Sequence, residues 1–188
     1  MTSIHLKAFA AALVFAAGPA LAQPPAGPPP LATPNPTYVT IVMEQDVARP
    51  AAEVWKRVGK YCDIAEWSTA MRCQISSGKD GELGAVRTLN GSTIEVLVAK
   101  TALSYTYTQP VRTGQTYNLY HGTLEAKPLT ATTSRLVYSL ILDNSMLADD
   151  AARKADVERR RARFTQALKD MKTLAEGGTL SPPAAPAR

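Results

Sequence analysis

The sequence is poor in the residues that mark several classes of protein. Of its 188 residues two are cysteines and two are histidines, and aromatic residues make up 6%. This composition excludes a disulfide-dense small protein, collagen and a coiled coil. The motifs HExxH, GxSxG and the phosphate-binding glycine loop do not occur, and no cluster has metal-ligand spacing. The sequence therefore predicts one globular domain with neither a metal nor a cofactor.

Charge is scarce at the N-terminus, where Lys7 is the only charged residue before Glu44. Lys7 precedes an apolar run at 8–17, and Ala20-Leu21-Ala22 supplies the small residues of a cleavage site. This pattern predicts a secretory signal peptide over 1–22, cleaved after Ala22. The run is too short to cross a hydrocarbon core about 30 Å thick, so we expect no stable membrane insertion. The protein is expected to be periplasmic or secreted.

Proline-rich segments delimit the part of the chain that can fold. Residues 23–37 hold seven prolines, and residues 177–188 combine Gly, Ser and Pro. Such segments cannot make regular backbone hydrogen bonds, so they predict a Pro-rich linker and a disordered tail. One folded domain is left, over 38–176.

The order of predicted elements in that domain is strand, two short helices, six strands and one long helix. The alternating run 38–47 predicts a strand, and Pro50 opens a predicted helix over 51–60. Asp63 can cap a second helix over 64–67. Six further strands are predicted over 71–76, 85–89, 93–100, 104–109, 117–127 and 134–143. Residues 146–176 contain no Pro or Gly and predict a long amphipathic helix.

An α+β fold follows from this order, with a curved seven-stranded antiparallel sheet around the C-terminal helix. Side chains fill the space between a strongly curved sheet and one helix poorly. We therefore expect a ligand cavity, as in the mouths of barrels.

The element order resembles the helix-grip superfamily, which includes START domains, the birch-pollen allergen group, bacterial polyketide cyclase/dehydrase-like (SRPBCC) proteins and plant abscisic-acid receptors. The resemblance covers 38–176, and its local motifs lie at 47–55, 63–67, 84–87 and 91–97. It implies the helix-grip fold but leaves the function open, because this scaffold hosts carriers, receptors and enzymes.

Period-two alternation and the resemblance together indicate which side chains line the cavity. If Glu95 faces inward, Leu97 does so too. The resemblance adds positions on the last two strands and the long helix, and it places Trp67 near the position where hormone receptors carry a ligand-binding lysine. The expected cavity residues are Trp67, Glu95, Leu97, Tyr120, Gly122, Leu124, Tyr138, Leu140, Phe164, Leu168 and Met171. This mostly apolar wall predicts a mid-sized hydrophobic small molecule as the partner.

Glu95 has two alternative roles. It can pair with Arg87 across the Asn90-Gly91 hairpin, which requires a three-residue loop, or it can stand free in the cavity as a general acid or base. His121 alternates against Tyr120 and is expected to face away from the cavity.

Cys62 and Cys73 are expected to form a structural disulfide, since an exported protein meets an oxidising environment. The alternative of a redox-active pair lacks the CxxC spacing. The bridge ties the second short helix to the second strand.

Positive charge concentrates on the long helix, which carries most of the net charge of +5. Consecutive positions of the run 159–161 fan out by about 100° each, and acidic residues are interleaved. We therefore expect a solvated helix face and no nucleic-acid partner, with weak contact to anionic lipid as an open alternative. The chain is expected to be a monomer.

Three function classes fit the sequence. The favoured one is an exported binding or carrier protein for a lipid-, polyketide- or aromatic-like molecule. The second is a cyclase- or lyase-type enzyme that uses Glu95 or a cavity tyrosine as general acid/base. The third is an envelope interaction protein with a vestigial cavity. Pairing of Glu95 with Arg87 favours binding, a free Glu95 favours chemistry, and a filled cavity favours the third class.

Overall fold

The computed structural model describes residues 33, 35–68 and 70–181. The predicted signal peptide and most of the Pro-rich linker lie outside the described residues. The elements are β1 (Tyr38–Val47), α1 (Ala51–Val58), α2 (Ile64–Trp67), β2 (Cys73–Ser77), β3 (Val86–Leu89), β4 (Thr93–Lys100), β5 (Ser104–Thr108), β6 (Leu119–Pro128), β7 (Ser134–Asp143) and α3 (Asp150–Ala175).

The seven strands form one antiparallel sheet in the order β1-β7-β6-β5-β4-β3-β2. The first strand pairs with the last along its whole length, from Tyr38 opposite Asp143 to Val47 opposite Ser134. Helix α3 packs mainly against β1 and α1. The predicted sheet, the two short helices after β1 and the long C-terminal helix are confirmed.

Several element boundaries differ by one or two residues from those predicted, and the start of α3 differs by four. Strand β2 begins at Cys73 rather than at residue 71, because Arg72 instead bonds the turn residue Asn90: the Arg72 N–H donates to Asn90 Oδ1 and the Arg72 carbonyl accepts from the Asn90 N–H. Helix α3 begins at Asp150 rather than at residue 146. The extended residue Asp149 caps it, since its side chain accepts a hydrogen bond from the Ala152 N–H at 2.8 Å.

The β3–β4 hairpin sets the geometry of the site. Its last pair is Leu89 opposite Thr93, which leaves a three-residue loop. Asn90 (φ 49°) and Gly91 (φ 72°) both adopt the left-handed conformation that such a tight loop requires. In this register Arg87 lies directly opposite Glu95. Both side chains therefore lie on the inner face of the sheet.

The core lies between the inner face of the sheet and the helices. Alternate residues of β6 and β7 point into it, among them Leu124 and Leu140, and α3 contributes Leu168 and Met171. In the part of the chain that the structure describes, no helix is both long enough and apolar enough to span a membrane.

Candidate ligand-binding cavity

A cavity of about 360 Å³ lies between α2, α3 and the inner face of strands β3 to β7. Five of the residues expected from the sequence line it. They are Trp67, Glu95, Tyr120, Tyr138 and Phe164. These five come from five different elements, so the fold brings together residues that are far apart in the chain.

Glu95 is paired with Arg87 and does not stand free in the cavity, which is the first of the two roles that the sequence allows. The Arg87 Nη2 and Nε atoms lie 2.6 and 2.7 Å from Glu95 Oε2, and both side chains are buried, with exposed fractions of 0% and 3%. The Gln109 amide donates to the other oxygen, Oε1, at 2.8 Å. The Tyr117 hydroxyl in turn donates to Gln109 Oε1 at 2.5 Å. Both oxygens of the carboxylate are therefore engaged by neighbours.

Arg87 is surrounded by aromatic rings as well as by Glu95. Its Cζ atom lies 4.0 Å from the ring centre of Tyr61, 5.1 Å from that of Tyr107 and 5.7 Å from that of Tyr105, and it donates to the Tyr61 carbonyl. Cations on aromatic faces are stabilised by the ring quadrupole. Burial lowers the pKa of Arg87, but the Glu95 carboxylate and the neighbouring tyrosines together raise it more, so the net shift is upward. Arg87 is thus a fixed positive charge in the interior.

Arg87 lies between two cavities. Glu95 and Tyr107 line the first, whereas Tyr61 and Tyr105 line a second cavity of about 310 Å³ on the other side of the guanidinium. Because Arg87 contacts all four residues, its side chain occupies the space between the two cavities. The sequence predicts one ligand cavity, and in the structure Arg87 lies beside two.

Two buried tyrosines form the inner wall of the first cavity. The hydroxyls of Tyr107 and Tyr138 lie 2.9 Å apart and share a hydrogen bond. The Tyr107 ring packs directly over Gly122, where a side chain would collide with it. Burial raises the pKa of both tyrosines well above the usual value, and it raises that of Tyr120 to about 12. All three are neutral near pH 7 and can serve as hydrogen-bonding groups.

The remaining expected residues do not line the first cavity. Leu97 lines the second one, and Gly122 lies beneath Tyr107. The others belong to the buried core, namely Leu124, Leu140, Leu168 and Met171. Helix α3 packs against β1 and α1, so the face that carries Leu168 and Met171 contacts the core. The cavity is lined by the adjacent face, which is offset by about one residue position around the helix.

That adjacent face brings polar residues into the wall that sequence reasoning missed. Four residues at helical spacing line the cavity from this face, and all but the alanine are charged: Arg160, Arg163, Ala167 and Asp170. Their helical spacing could have indicated that they share one face. However, polar residues that line a cavity follow the same spacing as polar residues that face solvent, so the sequence does not tell the two apart. For Arg160 the expectation of a solvated face is incorrect, because its side chain is only 16% exposed.

A disulfide holds the α2 side of the cavity. Cys62 and Cys73 are bonded, with their Cα atoms 5.6 Å apart, as the sequence predicts. The segment between them contributes Ile64, Trp67, Ser68 and Met71 to the wall. The Trp67 Nε1 atom is buried and has no hydrogen-bond partner among the described residues.

Asp63 stands at the start of α2 but does not cap it through its side chain. The Lys60 N–H donates to Asp63 Oδ2 at 2.8 Å instead, and no helix N–H reaches the carboxylate. Burial raises the pKa of Asp63 to about 6, although the hydrogen bond from Lys60 opposes the shift.

Across residues 35–68 and 70–181 no cluster of His, Cys, Asp or Glu side chains could hold a metal ion. His121 lies on β6 and, unlike Tyr120, does not line the cavity.

The chain and its fold match known proteins. A family model described as polyketide cyclase / dehydrase and lipid transport matches residues 38–176. A solution structure from Thermobifida fusca is 19% identical, with a TM-score of 0.62 over 76% of this chain and 97% of that one. The Zhui aromatase/cyclase from a Streptomyces species is also 19% identical, with a TM-score of 0.59 over 76% of this chain and 100% of that one.

A plant enzyme has a similar fold as well. Norcoclaurine synthase from Thalictrum flavum, solved with dopamine and hydroxybenzaldehyde, is 13% identical, with a TM-score of 0.58 over 78% of this chain and 91% of that one. At these identities the likeness establishes the fold alone. No curated protein matches the chain in sequence.

Proposed function

Because the chain belongs to the polyketide cyclase / dehydrase and lipid transport family, we propose that it is a binding or carrier protein that holds one hydrophobic small molecule in the first cavity. The family match confirms the resemblance found in the sequence. Cyclases, dehydrases and lipid carriers all handle hydrophobic molecules, so the class of ligand follows from the family, and the choice of carrier rests on the site.

The engagement of Glu95 is the observation that carries this proposal. The Glu95 carboxylate accepts hydrogen bonds from Arg87 at one oxygen and from Gln109 at the other, so both oxygens are engaged within the protein. Its ion pair with Arg87 also fixes the position of the carboxylate. The residue best suited to general acid/base chemistry is therefore part of the scaffold.

The cavity itself suits a mid-sized aromatic or polyketide-like molecule. Its volume of about 360 Å³ lies within the range of small-molecule sites, and aromatic rings from Trp67, Tyr107 and Phe164 form much of its wall. The hydroxyls of Tyr107, Tyr120 and Tyr138 can orient carbonyl or hydroxyl groups of the ligand. A volume of this size also argues against an interaction protein with a vestigial cavity.

The cyclase or lyase alternative has no comparable support. It needs a proton acceptor near neutral pH, and burial keeps the cavity tyrosines protonated there. The other carboxylate in the wall, Asp170, accepts a hydrogen bond from Gln166 and lies on α3 beside Arg163 and Ala167.

The proposal is tested with N-phenylnaphthylamine, an uncharged probe that fluoresces in apolar sites. We expect one site per chain. Ala167→Phe adds bulk to the cavity wall and should weaken binding at least tenfold, whereas Ala162→Phe on the exposed face of the same helix should leave it unchanged. Circular dichroism checks that both variants fold. Leu168, which lies in the core, is unsuited to this test.

Probe binding that is absent, or that both variants alter equally, would overturn the proposal. Native mass spectrometry of protein purified from its own cell envelope gives a second measurement. A carrier should retain a small molecule whose mass disappears in Ala167→Phe.

The carrier is proposed to act outside the cytoplasm as a monomer. The disulfide is consistent with an oxidising location, and the predicted signal peptide over 1–22 would direct export. The intact mass of the exported protein should correspond to a chain that begins at Gln23, and light scattering should give one chain per particle. Limited proteolysis should trim 23–37 and 178–188 and spare the proposed domain, 38–176.

A further inference from the structure

Two arginines of α3 give the first cavity a cationic side. Arg160 and Arg163 lie about one helical turn apart and both line the cavity, opposite the tyrosine wall of the sheet. A wholly apolar ligand would form neither a hydrogen bond nor an ion pair with these two arginines. Their presence suggests that one end of the ligand is charged.

Arg160 is held in place by its neighbours. Its Nε atom donates to Asp156 Oδ2 at 2.8 Å, and its Cζ atom lies 5.2 Å from the ring centre of Tyr120. Asp156 and the Tyr120 side chain are thus its polar neighbours. Burial lowers the pKa of Arg160, but Asp156 and Tyr120 raise it more. The guanidinium is thus a preorganised cation in the cavity wall.

Arg163 is the freer of the two cations. It is exposed at the rim, its Cζ atom lies 5.7 Å from the ring centre of Phe164, and it makes no ion pair with a described carboxylate. Within the wall, Glu95 is neutralised by Arg87, and Asp170 is the one other carboxylate in the described part of the lining. Counted together with the ion-pair partners Arg87, Asp156 and Arg159, the wall carries one positive charge in excess, on the α3 side.

We propose that the ligand is amphipathic and carries a carboxylate or a similar singly charged acidic group, which Arg160 and Arg163 bind at the cavity rim. This inference rests on the proposed function, since it concerns the same cavity. The apolar body of the ligand lies against Trp67, Tyr107 and Phe164, and the acidic end meets the two guanidinium groups. Arginine donors match a carboxylate in geometry as well as in charge.

Anilinonaphthalene sulfonate and N-phenylnaphthylamine form a matched pair of probes, because they differ only in the anionic sulfonate. The wild-type protein should bind the sulfonate more tightly. Arg163→Gln should weaken sulfonate binding about fivefold and Arg160→Gln about tenfold, with the affinity for the uncharged probe unchanged. The preference for the sulfonate should also shrink as the salt concentration rises.

Arg161→Gln is the control, since it removes the same charge from the same helix. Arg161 donates to the Val42 carbonyl and does not line the cavity. Equal loss of sulfonate affinity in Arg161→Gln and Arg163→Gln would mean a general charge effect and would overturn the inference. So would equal affinity of the wild type for the two probes. If the uncharged probe does not bind at all, the proposed function itself fails.

Discussion

Arg87 and Glu95 face each other across the β3–β4 hairpin as a buried ion pair, with 2.6 Å between Nη2 and Oε2. The pair has two consequences for the site. It engages the carboxylate that could otherwise do acid/base chemistry, and it places a guanidinium between the two cavities. The stability of the domain and the shape of the binding site therefore depend on the same contact.

Glu95→Gln should destabilise the protein strongly, because it leaves the Arg87 charge buried without its counter-ion. Removing one partner of a buried pair typically costs about 3–5 kcal/mol of the free energy of unfolding. Urea denaturation followed by circular dichroism measures this change. The expected loss concerns folding, so probe affinity should be compared only where the variant is folded.

The double variant Arg87→Met/Glu95→Gln is the matched control. It removes both charges, and the new glutamine can still accept from Gln109, so it should be more stable than Glu95→Gln alone. A Glu95→Gln protein as stable as the wild type would contradict the buried pair.

The register of this hairpin is the part of the site that the sequence left open. Asn90-Gly91 as a two-residue turn would place Arg87 opposite Ile94 and put Glu95 on the other face of the sheet. The three-residue loop is possible only because Asn90 and Gly91 both accept positive φ. The sequence is compatible with either loop, so only the folded chain distinguishes a paired Glu95 from a free one.

The orientation of α3 was the second feature that the sequence could not determine. Its apolar positions Phe164, Leu168 and Met171 predict the buried face, and all three are buried. The cavity, however, meets the neighbouring face with Arg160 and Arg163. Element order and strand alternation, which depend on local pattern, were predictable. Which flank of a helix meets a cavity depends on how that helix packs against β1 and α1, and this is a tertiary property.

Removal of the disulfide should weaken both folding and binding. The double variant Cys62→Ser/Cys73→Ser opens the loop that the disulfide closes between two residues 11 positions apart. The chain-entropy model predicts that this lowers the free energy of unfolding by about 3 kcal/mol. Because Trp67 and Met71 lie in that segment, the affinity for N-phenylnaphthylamine should fall as well.

Chemical reduction of the wild type provides the comparison for that variant. Reduced protein and the double serine variant should show the same stability and the same probe affinity. Two thiols that react in denatured, unreduced protein would contradict the bridge.

Asp63→Asn should change how stability depends on pH. The folded-state pKa of Asp63 is raised by burial from its usual 3.8 to about 6, so the folded protein binds this proton more tightly than the unfolded chain does. The contribution of Asp63 to stability is therefore present at low pH and is lost as pH rises from about 4 to about 6. An asparagine cannot ionise, and its side-chain oxygen can still accept from the Lys60 N–H.

Relative to the wild type, Asp63→Asn should gain stability between pH 4 and pH 7, by at most about 3 kcal/mol. Urea denaturation at a series of pH values measures the difference. Glu53→Gln, which alters an exposed carboxylate on α1, should show no such pH-dependent gain. Parallel stability curves for Asp63→Asn and the wild type would contradict the raised pKa.

Gly122→Ala tests the packing of the tyrosine wall. An added Cβ would lie 2.4 Å from both Cζ and the hydroxyl oxygen of Tyr107, so the ring must move. Gly122 lies in the regular strand β6, where alanine brings no backbone strain, and any cost must come from this contact. Moving the ring breaks the 2.9 Å hydrogen bond between the Tyr107 and Tyr138 hydroxyls. We expect a loss of about 1–3 kcal/mol in the free energy of unfolding and an altered affinity for N-phenylnaphthylamine.

The same substitution in a Tyr107→Leu background isolates the cause. Leucine lacks the ring atoms that the new Cβ would meet, so Gly122→Ala should cost much less there, and the difference between the two backgrounds gives the coupling between the positions. If Gly122→Ala destabilises both backgrounds equally, the cost lies elsewhere in β6 and Tyr107 does not lie across Gly122. Strong coupling would show instead that the missing side chain at position 122 lets the tyrosine wall lie close against the sheet, which leaves room for a ligand between that wall and α3.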